Sequence, residues 1–364
     1  MFFSCSKEKE ISFLEINVGE IERSFVSDYH SSEGFLINSE GVIFHFFRLD
    51  STSNSGHVGN SGKIVYRKSY DQGNNWSNTK TIYDSEYDDR NIHGGINNDG
   101  QVVLFFRRYD VPNYNQLLNG QTIDHRYLIF DPISEVILFS EKMESPSSED
   151  HQSGCMGTNK VFSVPGKGYF ASFYSSNSID FQFSIDGRYW NNTWQNAYNF
   201  NDNLLTEPCF LFIGNNTIIG LARDGISSTT DTSNYYQLVS FDNGFSWKEP
   251  IRTNIDVPHY TPAPLIFLEP NTERIISIST TRETGINDYI SVYSNEKDTV
   301  SSNPKGYQLV RRLDRPVPTD FRLYGYPTYT KIDDFNYLIV FTESYIRWNG
   351  SEGAHFYQFK ISIN

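Results

Sequence analysis

The chain has 364 residues, 38% hydrophobic and 16% aromatic with 28 Phe and 24 Tyr, a mix that suits half-buried strands in one large all-β domain or two smaller ones. Its formal net charge of −14 argues against a nucleic-acid partner, and no stretch approaches the roughly 20 apolar residues of a membrane-spanning helix. The sequence holds no zinc-ligand spacing, no EF-hand loop and no glycine-rich phosphate cradle ahead of a helix, so no cofactor or metal is expected.

The chain opens on Phe2-Phe3-Ser4-Cys5-Ser6 and then Lys7-Glu8-Lys9-Glu10, which reads as the tail of a bacterial lipobox followed by a charged tether. The expectation is a flexible segment over 1–10, a lipid anchor at Cys5 and an extracytoplasmic, monomeric protein at a bacterial cell surface or outer membrane. Three cysteines make no disulfide framework. Cys155 and Cys209 are either one bridge or two buried thiols.

From residue 11 onward the chain reads as one domain of short strands. Apolar runs come in pairs split by tight turns at Asn38–Gly41, Asn97–Gly100, Pro165–Gly168, Gly214–Asn216, Glu269–Thr272 and Asp333–Asn336. The turns recur about every 50–70 residues, which is the size of a four-stranded propeller blade. Six such units predict an all-β, six-bladed β-propeller over 11–364. The second strand of each pair follows its turn: Val42–Arg48, Val102–Arg108, Tyr169–Tyr174, Thr217–Arg223, Arg274–Arg282 and Tyr337–Glu343. The last unit ends with a third strand at His355–Ile363, so the apolar run Ile11–Val18 is expected to add the outer strand and close the ring.

Third strands end in two full copies and one shortened copy of a turn: Ser69-Tyr70-Asp71-Gln72-Gly73-Asn74-Asn75-Trp76, Ser240-Phe241-Asp242-Asn243-Gly244-Phe245-Ser246-Trp247, and Ser184-Ile185-Asp186-Gly187-Arg188-Tyr189-Trp190. Asp can accept the turn's N–H groups, Gly can take positive φ, and Trp can fill the space between strands.

In a propeller the start of each first strand and the end of each second strand share one rim. Those positions here hold Arg48 with Asp50, Asp89-Arg90-Asn91-Ile92-His93, Arg107, Glu207, Arg223, Arg282, Tyr326 and Glu343. Guanidinium forks match carboxylate or sulfate oxygens two at a time, so an arginine-rich rim on an acidic protein predicts an anionic ligand. An acidic oligo- or polysaccharide is the expected partner. His57, in Gly56-His57-Val58-Gly59-Asn60, lies on a loop that could cover the rim.

The Ser-x-Asp-x-Gly-x-x-Trp turns resemble the Asp-box, or BNR repeat, of the sialidase superfamily. Glu207-Pro208, Gly220-Leu221-Ala222-Arg223 and the turn at Ser240 are similar to the central blade of bacterial sialidases. The resemblance implies that Glu207 polarises a tyrosine nucleophile, that Arg223 and Arg282 clamp a substrate carboxylate, that Tyr326 attacks the anomeric carbon and that Glu343 orients an arginine. It further implies that Asp50 or Asp89 supplies the acid. The family's Arg-Ile-Pro in the first blade has no counterpart: Tyr29-His30-Ser31-Ser32-Glu33 stands there. The leading expectation is therefore a retaining, sialidase-like glycosidase acting on an acidic glycan. A uronic-acid polysaccharide lyase with His93 or a Tyr as base is one alternative, and a non-catalytic glycan-binding surface protein is another.

Overall fold

A computed structural model describes residues 15–27, 31–50, 61–110, 120–143, 160–175, 178–190, 194–199, 205–224, 233–257, 263–280, 289–314, 322–346 and 352–364. Five four-stranded antiparallel sheets and one five-stranded sheet follow one another along the chain, which makes a six-bladed β-propeller. Blade 1 runs from Ser31–Ser39 through Val42–Asp50 and Gly62–Ser69 to Lys80–Tyr83; blades 2 to 5 begin at Asp88, Phe162, Leu205 and Leu265. Blade 6 takes Arg322–Lys331, Asn336–Ile346 and Glu352–Ile363 from the C-terminal end of the chain.

Two N-terminal strands complete that last blade. Ile16–Val18 pairs antiparallel with Ile361–Ile363, and Glu22–Ser27 pairs further along the same strand, from Gln358 to Ala354. The closing element is therefore longer than the apolar run Ile11–Val18, whose first four residues lie outside the described ones. Its second half, Glu-Arg-Ser-Phe-Val-Ser, is largely polar and only partly buried, as suits a strand on a sheet edge.

The inner strands explain the dense apolar runs. Each blade is covered on both faces by its neighbours, so its middle strands bury both sets of alternating side chains. Phe35, Phe44, Phe46, Leu104, Phe106 and Phe130 fill the wedge between blades 1 and 2. Val103, Phe105, Phe173 and Trp190 fill the next. The ring seam between blades 6 and 1 is packed by Leu36, Phe47, Val65, Leu338, Val340 and Phe356. Fully burying one such side chain contributes about 2–3 kcal/mol.

One polar device crosses this seam. The Arg67 guanidinium, from the third strand of blade 1, is buried 4.2 Å from the centre of the Trp76 ring. It donates to the Ser24 carbonyl and, at 2.9 Å, to the Ser24 hydroxyl on the closing strand. It also donates to Nδ1 of His45 at 3.2 Å, so that imidazole accepts and is neutral. Burial, and secondly the Arg67 charge, hold the His45 pKa well below its ordinary value. Arg67→Ala should cost about 3 kcal/mol, from lost charge-assisted hydrogen bonds and cation–π contact. Thermal melts check this, and an unchanged melting temperature would show that the closing strand holds without it.

Candidate active site at the rim of the axis

The inner strands of blades 2, 4 and 6 share a local distortion that aims side chains toward the axis. Pairing jumps from Arg90↔Arg107 to His93↔Phe105, from Thr206↔Arg223 to Cys209↔Leu221, and from Gly325↔Thr342 to Thr328↔Val340. In each case three residues advance against two, a β-bulge. The first bulged residue has positive φ: Asn91 at 57°, Glu207 at 52° and Tyr326 at 52°. Such a conformation costs a non-glycine residue roughly 1–3 kcal/mol. In blades 4 and 6 the second bulged residue is Pro208 or Pro327, which has no N–H to lose from the ladder. Blade 1 skips Glu33 in the same way, between Ser32↔Arg48 and Gly34↔Phe47.

Two of these residues meet. The Tyr326 hydroxyl donates to Oε1 of Glu207 at 3.0 Å, and Arg223 donates to Oε2 of the same carboxylate at 3.2 Å. Glu207 is buried, while the Arg223 side chain keeps 21% of its surface exposed. Burial works against the Arg223 charge, but Glu207, Tyr326 and Tyr174 together raise its pKa above the ordinary arginine value. Tyr174, which ends the second strand of blade 3, thus belongs to the surroundings of Arg223. In the sequence that position reads only as part of a strand.

A second group sits at the start of blade 2. Arg48 reaches across from blade 1, donating to Asp88 at 2.7 Å and to Asp50 at 3.2 Å. Arg90 donates to the other oxygen of Asp88 at 3.5 Å. Arg48, Asp50 and Asp88 are all but fully buried, and two cations face two carboxylates. Arg48 therefore ties blade 1 to blade 2, where the sequence suggested an anion ligand. Arg107 differs: it donates to Oδ1 of Asn91 at 2.5 Å and to Oγ1 of Thr122 at 3.1 Å, both uncharged, with the Tyr109 ring 4.7 Å away. Asn91 belongs to the Asp89–His93 run that the sequence places at the rim, whereas nothing in the sequence marks Thr122.

The acid candidates have distinct settings. Asp50 accepts from Arg48 and from the Ser61 hydroxyl. Asp89 is buried and accepts the N–H and hydroxyl of Ser85 at 2.8 and 2.9 Å. Burial raises its pKa to about 7; the Ser85 hydrogen bonds oppose that rise and the Asp88 charge adds to it. Glu343 is fully buried, facing Tyr324 across one ladder and His355 across the other. Arg282, His57, Cys5 and Cys155 lie outside the described residues. Cys209 is buried, and burial pushes the pKa of its thiol up to about 12.

His93 does not join the rim. Its ring stacks on Phe105 at 5.1 Å and meets the edge of Phe173 at 4.8 Å, in the core between blades 2 and 3. Burial lowers its pKa to about 4. The bulge at Asn91–Ile92 is the reason, because it sets His93 opposite Phe105 and one rung deeper than simple alternation implies.

No protein-family model matches the chain, and neither does any curated protein sequence. Among solved structures, a protein of unknown function from Dyadobacter fermentans is 12% identical with a TM-score of 0.72, covering 97% of this chain and all of that one. The NanB sialidase of Streptococcus pneumoniae has a TM-score of 0.64 at 9% identity, over 92% of this chain and 68% of its own. The chain has the fold of the sialidases. The Trypanosoma rangeli sialidase also gives 0.64, at 12% identity, over 94% of this chain and 58% of its own. Identity at this level carries architecture and not chemistry.

His93→Phe should leave activity toward any substrate of the rim within about twofold, since the ring is packing. Its effect should appear in stability. A histidine held neutral in the fold destabilises it as pH falls below about 6.5, where the unfolded chain takes up the proton, until the folded value near 4 is reached. Melting temperatures over that range should fall less steeply for His93→Phe than for the parent chain. A large loss of activity at full stability would return His93 to the site.

Proposed function

We propose that the protein is a retaining glycoside hydrolase acting on an acidic glycan. The observation that carries this reading is the Tyr326–Glu207–Arg223 group. A phenol whose pKa is ordinarily about 10 is a weak nucleophile at neutral pH, and a carboxylate 3.0 Å away can take its proton as it attacks. A neutral nucleophile also avoids repulsion by an anionic sugar, which is why sialidases depart from the usual pair of catalytic carboxylates. Arg223 binds Glu207 through one nitrogen and presents the rest of its fork to the substrate carboxylate. Arg282 supplies the second clamp, Arg90 and Arg107 line the blade 2 side, and Glu343 supports the tyrosine's blade.

The bond changes balance. The Tyr326 oxygen adds to the anomeric carbon as its proton passes to Glu207, and the departing glycosidic oxygen takes a proton from an acid. Asp89 suits that role, because burial raises its pKa to about 7 and so leaves a sizeable protonated fraction near neutral pH, whereas Asp50 is paired with Arg48. Water then attacks the anomeric carbon and gives its proton to the carboxylate that served as acid, the carbon–tyrosine bond breaks, and the proton on Glu207 returns to the phenolate. The placement of His93 among aromatic rings disfavours a lyase that uses His93 as its base.

The test is a panel of sialosides, uronides and sulfated glycans assayed for released reducing sugar, followed by variants against the best substrate. Tyr326→Phe and Glu207→Gln should each lower kcat by about a thousandfold, and the double variant by little more, because the two act as one unit. Near-normal turnover by Tyr326→Phe would remove the mechanism. Glycan binding without turnover would make the protein a lectin-like surface module instead.

Arg223→Lys should cost nearly as much in kcat/KM as Arg223→Ala, about a hundredfold or more, because a point charge does not reproduce a planar fork. Steady-state kinetics of the two variants on one acidic substrate decide it. Unaltered constants in both would put Arg223 outside substrate recognition.

A further inference from the structure

A cavity of about 430 Å³ lies on the axis at the end of the ring opposite the Tyr326–Glu207–Arg223 group. Its walls are the far ends of inner strands. Tyr326 sits mid-way along Arg322–Lys331, whereas Thr330, near the end of that strand, lines the cavity. Ile37 near the end of Ser31–Ser39 and Ile96 at the end of Asp88–Ile96 line it too. Lys160 and Val161, which lead into blade 3, complete the wall. They run alongside blade 2, where Lys160 bridges Gly94 and the Val161 N–H donates to the Gly94 carbonyl at 2.9 Å. Gly95 permits this approach, because a Cβ there would come 2.9 Å from Cβ of Val161.

The Lys160 side chain crosses the axis. Its amine donates to the Tyr329 carbonyl in blade 6 and lies 4.1 Å from the centre of the Tyr329 ring. That ring is itself held, stacked on Phe267 of blade 5 at 4.4 Å. Burial lowers the Lys160 pKa to about 7, against a smaller opposing effect of Cys209 in blade 4. Among the described residues, Tyr329 and Cys209 are the titratable groups that touch the amine or act on it. Burial raises the pKa of both, so neither carries charge near neutral pH. The blade 1 and blade 2 walls bring Ile37, Asn38, Gly95 and Ile96, none of them titratable. A neutral amine that donates one N–H to a carbonyl still has the lone pair that a carbonyl carbon accepts. Lysines desolvated in this way are the ones that form Schiff bases.

The lining selects among carbonyl compounds. Ile37, Ile96, Val161 and Ile332 make much of the wall apolar, and the exposed charges stand at the mouth. There Asp334, 84% exposed, pairs with Lys331 at 3.3 Å. The exposed Asp333 accepts the N–H groups of Phe335 and Asn336 in its own turn, both at 3.0 Å. Two carboxylates against one lysine repel anions and favour an uncharged occupant. We propose that this cavity takes small uncharged aldehydes and that Lys160 holds them as an imine. The nitrogen lone pair adds to the carbonyl carbon, both amine protons pass to the oxygen, and water departs as the C=N bond forms. No oxidant or reductant enters, and water reverses the bond. The volume lies in the range of small-molecule sites. The proposal goes beyond the glycosidase reading and does not depend on it.

The experiment treats the full chain with butanal and sodium cyanoborohydride, which reduces an imine to a stable amine, and locates the added butyl group by peptide mass spectrometry. At pH 7 a lysine amine in water is about a thousandfold less deprotonated than one with a pKa near 7, so Lys160 should be labelled at least roughly tenfold faster than exposed lysines. Its rate should level off above about pH 8 while theirs keeps rising. Relative to those lysines, glyoxylate should label Lys160 roughly tenfold less well than butanal, and a combined Asp333→Asn, Asp334→Asn variant should narrow that gap. Ile96→Trp, at a wall position 39% exposed, should fill the cavity and slow the labelling of Lys160 roughly tenfold. Melting temperatures show which variants are folded; should Ile96→Trp unfold, the rate and charge comparisons on the parent chain decide. Three results overturn the proposal: labelling of Lys160 no faster than that of exposed lysines, equal labelling in folded Ile96→Trp, or glyoxylate labelling Lys160 as well as butanal does.

Discussion

The rest of the structure depends on the hydrogen-bonded seam between the first and last strands. A propeller blade is stable only when both of its faces are covered, and only a closed ring covers them all. Blade 6 draws three strands from the end of the chain and two from its beginning. Without Ile16–Val18 and Glu22–Ser27, the strand Glu352–Ile363 would present a bare edge twelve residues long. The Leu36, Phe47, Leu338 and Phe356 wedge would then have nothing holding its two sides in register. Arg67 reinforces the seam with the Ser24 contacts, at the expense of confining a neutral His45 beside a buried charge.

A rigid ring allows strained backbone at the rim. Asn91, Glu207 and Tyr326 hold a conformation that isolated strands would abandon, and they hold it because the ladder on both sides of each bulge is packed between neighbouring blades. The effect on the site is directional. A regular strand would point these side chains at the adjoining blades, whereas a bulge turns them toward the axis. Two groups on different blades, 119 residues apart in sequence, thereby come within hydrogen-bonding distance. Pre-positioning of this kind is what proton transfer between a phenol and a carboxylate requires.

Much of the architecture could be read from the chain, because turn chemistry and dense apolar runs are local signals. Asn38–Gly41 and Asn97–Gly100 mark hairpins by composition alone, and Val102–Phe106 admits no reading but a strand buried on both faces. Glu22–Ser27 escaped notice for the opposite reason: an edge strand is polar, and its pairing partner lies more than 300 residues away. At the rim, Glu207, Arg223 and Tyr326 were legible as positions in a repeat. His93 was misplaced because one extra residue in a strand reverses the alternation that reading relies on. The pairing of Arg48 with Asp88 and Asp50 was invisible too, since nothing local tells a ligand-binding arginine from one neutralised by the next blade.

The shared last blade also governs how the molecule can be made. The strand Glu352–Ile363, on which both N-terminal strands pair, follows all of blades 1 to 5 in chain order. Until it is in place, Ile16–Val18 and Glu22–Ser27 have no partner, and blades 1 to 5 form an open arc with an uncovered flank at either end. Closure then needs contacts between opposite ends of the chain, the kind that folding theory identifies as slow. Until those two ends meet, the uncovered flanks and the unpaired edge strands are the parts of the chain most exposed to aggregation.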